Sequence, residues 1–116
     1  MLRKQFADNV AAKLRSNNPY LEFDPTIIFV IIELIEQILP VIIEMCEKDP
    51  KDVPRYAQAA SGFAYRWLRR QCRRAVGWRD YYGFGGDKLL DAGLQTMAEM
   101  DGDVVRDLYS EICSTR

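Results

Sequence analysis

Five arginines crowd into nine positions: Arg66, Arg69, Arg70, Arg73 and Arg74. Projected at the helical period they share a sector of about 140°. Guanidinium groups this close repel one another on an isolated helix, so an anion is expected alongside them. Arginine's planar fork of donors suits carboxylate and phosphate alike, and no lysine interrupts the series. Two kinds of partner fit. One is the phosphate backbone of a nucleic acid. The other is the protein's own carboxylates, met within the protomer or across a dimer: Glu33, Glu36 and Glu44, or the acidic C-terminal third (Asp80, Asp87, Asp91, Glu99, Asp101, Asp103, Asp107, Glu111). A formal net charge of −1 favours the internal partner, because a dedicated nucleic-acid domain is usually basic overall.

Directly after this run, Trp78, Tyr81, Tyr82 and Phe84 stand among Gly77, Gly83, Gly85 and Gly86, with Arg79 between. Aromatic rings beside arginine can stack single-stranded bases. They can equally form a contact patch for another protein, where Trp, Tyr and Arg are enriched. A third reading, which the rarity of large exposed aromatic clusters favours, is a loop folding its rings over the end of a helical bundle. Its glycines would supply positive φ. The run Gly83-Phe84-Gly85-Gly86-Asp87-Lys88 is no nucleotide loop: the Gly-Lys-Ser/Thr order is missing, and Asp87 puts a carboxylate where phosphate would sit.

Other chemistry finds little to work with. There is no histidine, so acid–base catalysis would need a perturbed carboxylate, lysine, tyrosine or cysteine. Glu33, Glu36 and Glu44 share one helix face without the histidines or facing carboxylates of a bridged metal site. Cys72 has arginine beside it, which lowers a thiol pKa, but it falls on an alanine-rich face where burial is the usual fate. No nucleophile, base and orienting group assemble, so no catalytic residue, metal or cofactor is expected. Cys46, Cys72 and Cys113 are odd in number and widely spaced, as expected of free thiols in a reducing compartment rather than a disulfide framework. The N-terminal residues lack the apolar run and cleavage site of a signal peptide, so a cytoplasmic location is expected.

The elements that must carry these groups are helices; no β-type alternation persists. The chain of 116 residues suits one domain, residues 1–116. The first helix is predicted over about residues 2–15, with Leu2, Phe6, Val10 and Leu14 on one stripe and Asn17-Asn18-Pro19 ending it. The second opens at Asp24 as N-cap with Pro25 at its first position and runs to about Glu47, closed by Asp49-Pro50. The third opens at Asp52 and continues to Gly77, lining one face with Ala57, Ala60, Ala64, Leu68, Cys72 and Ala75. Residues 77–86 read as a loop. The fourth helix starts near Asp87 and turns Leu90, Leu94 and Met97 inward. The fifth starts near Asp101 or Asp103, with Val104, Val105, Leu108 and Ile112 as its stripe. The predicted fold class is all-α, a compact bundle of about five helices around a central, nearly all-apolar second helix.

That second helix holds eight isoleucines between Ile27 and Ile43. Its apolar residues favour membrane insertion by about 4–8 kcal/mol, but Glu33 and Glu36 oppose it by roughly 5 kcal/mol, and Gln37 and Pro40 add to that cost. A transmembrane span is therefore disfavoured. Thr26, Glu33, Glu36, Gln37, Pro40, Glu44 and Glu47 instead form one narrow wet stripe, leaving the remaining circumference to packing. Such a surface is wide for one small domain to cover and suggests association, with Ile28, Ile31, Ile35 and Ile42 as candidate interface residues. Charge is segregated too: residues 55–79 hold seven arginines and no acid, between acidic flanks of −3 and −5. The expected function is a non-enzymatic protein-interaction module, adaptor or structural, self-associating through its isoleucine-rich helix into a homo-oligomer or meeting a protein partner. The alternative is a nucleic-acid-binding protein using the arginine stripe and the aromatic-glycine segment; a membrane partner is not expected.

Overall fold

A computed structural model describes residues 2–20, 32, 33, 36, 37, 40, 49–59, 63–83 and 86–114. Among the described residues it is helical without a strand. In chain order come α1 (Leu2–Asn17), a 3-10 turn (Pro50–Asp52), α2 (Val53–Ala59), α3 (Phe63–Val76), α4 (Trp78–Gly83), α5 (Asp87–Ala98) and α6 (Gly102–Ser114). The Cα radius of gyration is 13.1 Å, and a compact domain of this length is expected near 13 Å. The all-α prediction holds. The isoleucine-rich segment, including Ile28, Ile31, Ile35 and Ile42, lies outside the described residues apart from five positions. Of these, Ile32 packs against the core, Glu33 is exposed, and Glu36, Gln37 and Pro40 are half-exposed.

Helix α1 buries its predicted stripe, Phe6, Val10 and Leu14, with Ala7 and Ala11 alongside. The alanines let it lie close on α5, its main neighbour. Its first N–H groups have no partner within the helix, and the far end of the chain provides one. The Glu111 carboxylate of α6 accepts from Leu2 N at 2.9 Å and Arg3 N at 3.3 Å. The Arg3 guanidinium pairs with Glu36, which ties α1 to the isoleucine-rich segment. At the other end Asn18 closes α1 by donating its side-chain amide to the Leu14 carbonyl.

Helix α5 packs against both α1 and α2, so it is buried on most of its length. Leu90, Leu94 and Met97 point inward as predicted, joined by Leu89, Ala92 and Thr96. The buried Thr96 hydroxyl donates to the Ala92 carbonyl one turn back, which removes the cost of an unmet polar group. Helix α6 opens on Asp101, whose carboxylate accepts from Asp103 N at 2.8 Å as an N-cap. Val105, Leu108 and Ile112 form its buried stripe, but Val104 is 39% exposed and is not part of it. Positions 105, 108 and 112 already repeat at the helical spacing, and 104 falls at the edge of that face.

The predicted third helix begins where expected, with a 3-10 turn ahead of it. Asp49 and Pro50, read as the end of the preceding helix, also start an element; residues 41–48 lie outside the described ones. The Asp49 carboxylate accepts from Lys51 N, and Pro50 takes the first position of the 3-10 turn. Val53 then begins α2, and whether α2 runs on into α3 lies outside the described residues. The end of α3 falls where predicted: Gly77 adopts φ +87° and its N–H reaches the Arg73 carbonyl at 2.9 Å. Residues 78–83, expected to be loop, are helix α4, started by Tyr81 N donating to the Gly77 carbonyl. A single glycine thus closes one helix and opens the next, which the density of glycines had concealed.

The 3-10 turn packs tightly against the first turn of α6, and Gly102 permits it. A Cβ there would lie 2.6 Å from the Lys51 carbonyl oxygen, a backbone atom that cannot rotate away. Gly102→Ala is expected to lower stability by roughly 1–3 kcal/mol. Gly93→Ala, at a helical position with open space around the new methyl, should raise it by about 0.5–1 kcal/mol. Thermal unfolding of the two variants beside the wild type checks this pair. Equal midpoints for the two would contradict the packing described.

Candidate functional site

The five arginines of the predicted stripe lie on α3, and the packing of α3 sorts them into two rows. Leu68 and Cys72, both fully buried, fix which side of the helix faces the core, with Ala57 of α2 buried as well. The side chains of Ala60, Ala64 and Ala75, expected on that same face, lie outside the described ones. Trp67 and Tyr65 are half-buried against the core.

Arg69 and Arg73, one turn apart, turn toward the rest of the protein. Arg69 Nη1 lies 3.4 Å from Asp87 Oδ2 at the start of α5, and its guanidinium stands 6.0 Å from the centre of the Tyr65 ring. Arg73 lies over the Trp78 ring, 4.2 Å from its centre, and donates from Nη1 to the Tyr82 hydroxyl at 3.0 Å. The Nε atoms of both are buried without a hydrogen-bond partner, a cost tolerated because the rest of each guanidinium is engaged.

Arg66, Arg70 and Arg74 form the second row, on consecutive turns facing solvent. None of the three has an acidic partner among the described residues. The carboxylates expected to meet them are mostly engaged elsewhere. Glu111 serves α1, Glu99 pairs with Lys13 at 2.7 Å, and Asp103 pairs with Lys51 at 3.3 Å. Asp103 and Asp107 also flank Arg106. Glu36 meets Arg3 rather than α3. Among the described residues, only Asp87 of these reaches the arginine helix by an ion pair. Glu44 lies outside the described residues.

The aromatic segment is sorted in the same way. Tyr81, expected at an interface, is a correction: it is only 3% exposed, and its hydroxyl donates to Asp87 Oδ1 at 2.7 Å. Helix α4 turns it inward, because on so short a helix one face must pack to hold the element in place. Trp78 at 61% and Tyr82 at 50% exposure remain on the surface, their ring centres 5.5 Å apart. Tyr82 also meets Tyr81 edge to face at 5.0 Å. Phe84 lies outside the described residues. Gly86, at φ +57° and against the Tyr82 ring, leads into α5. What results is an exposed arginine row on α3 and, across Gly77, two exposed rings on α4, Trp78 being backed by Arg73.

The buried titratable groups keep their protons. Burial, then the hydrogen bond and charge of Asp87, push the Tyr81 phenol well above its ordinary range. Burial, then the hydrogen bond to Asp91, do the same to Tyr65. Burial pushes the Cys72 thiol from 9.0 up to about 12, so its burial outweighs the neighbouring arginines. Cys113 is an exposed free thiol, and Cys46 lies outside the described residues. Among the described residues, no group of acidic or cysteine side chains converges as metal ligands would, and no helix is long and apolar enough to cross a membrane. Compared with known proteins, the chain matches no family model, no curated protein and no solved structure.

Two predictions follow from this geometry. Tyr81→Phe should cost roughly 1–2 kcal/mol, since it strips a charge-assisted hydrogen bond from a partly sheltered carboxylate. In a double-mutant cycle with Asp87→Asn the coupling should exceed the ~0.5 kcal/mol scatter of independent sites; additive losses in urea unfolding would rule the contact out. The second concerns alkaline pH. The folded-state pKa of Cys72 is raised, so its contribution to stability is whole below pH 9.0 and is lost as the pH climbs toward about 12. The denaturation midpoint should fall above pH 9, by at most about 1.4 kcal/mol per pH unit per group. Cys72→Ala should make that fall shallower, and iodoacetamide should label Cys113 in the native protein but Cys72 only after unfolding. Native labelling of Cys72 at neutral pH would overturn the assignment.

Proposed function

We propose that this chain is a non-enzymatic interaction module, adaptor or structural in role, which holds an anionic partner on the outer face of α3. One observation carries the reading. Arg66, Arg70 and Arg74 stand exposed on consecutive turns without an acidic partner among the described residues, while Glu99, Asp103 and Glu111 of the C-terminal third are engaged by Lys13, Lys51 and the start of α1. Three unpaired cations in a row repel one another, and that repulsion is relieved when an anion binds across them. Trp78 and Tyr82, at the end of the row, have the amphipathic character of contact residues, with broad apolar faces and a polar edge.

Self-association through the isoleucine-rich segment is the second part of this reading. Thirteen isoleucine, leucine, valine and phenylalanine residues between Ile27 and Ile43 give one small domain more apolar surface than its remaining helices readily cover. The half-exposed Glu36, Gln37 and Pro40 accord with a wet stripe along that segment, whose other faces would meet the core and a second copy. Free thiols at Cys72 and Cys113 accord with a cytoplasmic location.

Both parts can be measured directly. On a heparin column, the wild type should elute at clearly higher salt than the Arg66/Arg70/Arg74→Gln variant, which loses three exposed charges and no packing. Elution of the two at the same salt would discard the α3 face as an anion site. Light scattering at tens of micromolar should give the mass of an oligomer, and a strict monomer would discard self-association.

A further inference from the structure

We infer that the anion held on α3 is single-stranded nucleic acid, with its phosphates on Arg66, Arg70 and Arg74 and a base on Trp78. The inference rests on the proposed role of that face and gives it a partner. Spacing is the first support. Arginines four residues apart are separated by about 6 Å along a helix, so the row spans about 12 Å. A nucleic-acid strand carries a charge every ~3.4 Å of axis, enough to offer each arginine a phosphate. The flexible backbone of a single strand can settle onto such a row.

The second support is the ring at the end of the row. Only Gly77 separates α3 from α4, so Trp78 follows the arginine helix directly. Arg73 lies against the indole at 4.2 Å and bonds Tyr82, which fixes the ring, while 61% of Trp78 stays open to solvent. A positioned aromatic beside a basic track is the arrangement on which unpaired bases stack, with little regard to sequence. A base inside a duplex is already stacked and cannot reach it. An acidic polypeptide would satisfy the arginines but would bring no flat π face to Trp78. The exposed Asp80 repels phosphate, so the strand must cross from the arginine row to the indole on the side away from it.

The test is a fluorescence-anisotropy titration with labelled mixed-sequence single strands, DNA and RNA, and with a duplex of the same length. The single strands should bind more tightly than the duplex. Three phosphate contacts on a single strand imply a slope of log K against log salt near −2, roughly a 20-fold loss between about 50 and about 200 mM. The Arg66/Arg70/Arg74→Gln variant should lose most of that slope. Trp78→Leu should weaken binding roughly fivefold or more, whereas Trp78→Phe should bind nearly as the wild type does. Tryptophan emission should be quenched by the strand in the wild type and not in Trp78→Phe, which places the base on that ring. Equal affinity for duplex and single strand, or a Trp78→Leu variant that binds as the wild type does, overturns the inference. Retention on heparin with no binding to any oligonucleotide overturns it while leaving the anion-binding face intact. Loss of both defeats the two readings together.

Discussion

The carboxylate of Asp87 sits where three helices meet, and the arrangement of the arginine surface follows from its position. It lies in the first turn of α5, where the unpaired N–H groups of the helix favour a negative charge. It accepts the Tyr81 hydroxyl from α4 and faces Arg69 from α3. With Leu68 and Cys72 buried beneath, the rotation of α3 about its own axis is fixed. Arg69 and Arg73 then point toward α4 and α5. The 100° step of the helix sends Arg66, Arg70 and Arg74 to the outside.

Among the described residues, charge is arranged so that no acidic side chain pairs with that outer row. Apart from Asp87, which faces Arg69, the paired acids of the C-terminal third hold the bundle together and do not neutralise α3. Glu111 caps the start of α1 from the opposite end of the sequence, Glu99 holds Lys13 of α1, and Asp103 holds Lys51 of the 3-10 turn. Each of these exposed or half-exposed pairs contributes little on its own. Their collective effect is topological. They join α1, the 3-10 turn, α5 and α6 into one unit, and they leave the basic segment between the two acidic flanks with only Asp87 as an ion-pair partner among the described residues.

Much of this was legible from residue periodicity alone. The stripes of α1 and α5 are buried as the 3.6-residue repeat demands, Gly77 ends α3 at the predicted residue, and Asp101 caps α6. The failures have distinct physical origins. Four glycines within ten residues hid α4, although only Gly77 and Gly86 among those described use positive φ. The inward turn of Tyr81 depends on Asp87 and on burial, neither of which has a periodic signature. The division of the arginines was partly within reach. Arg69 and Arg73 are one turn apart at the edge of the stripe nearer Leu68 and Cys72, but their partners, Asp87 and Trp78, become visible only once α3 has been folded back. The long-range cap at Glu111 left no trace in local sequence at all.

The same packing decides what kind of chemistry the surface can perform. Tyr65 and Cys72 of the arginine helix and Tyr81 beside it are all pushed toward their neutral forms. Near neutral pH they donate hydrogen bonds or fill space, and none offers a base or a nucleophile to a molecule bound outside. Arginine, for its part, keeps its charge through the whole physiological range. On the proposed reading, a face built from these groups would discriminate by charge, spacing and flatness. Its binding should therefore respond to ionic strength much more than to pH, because salt screens guanidinium–anion contacts over about 8–10 Å and the chain has no histidine to switch them. Holding a chain of anions against a positioned ring is the work that such a combination of side chains does best.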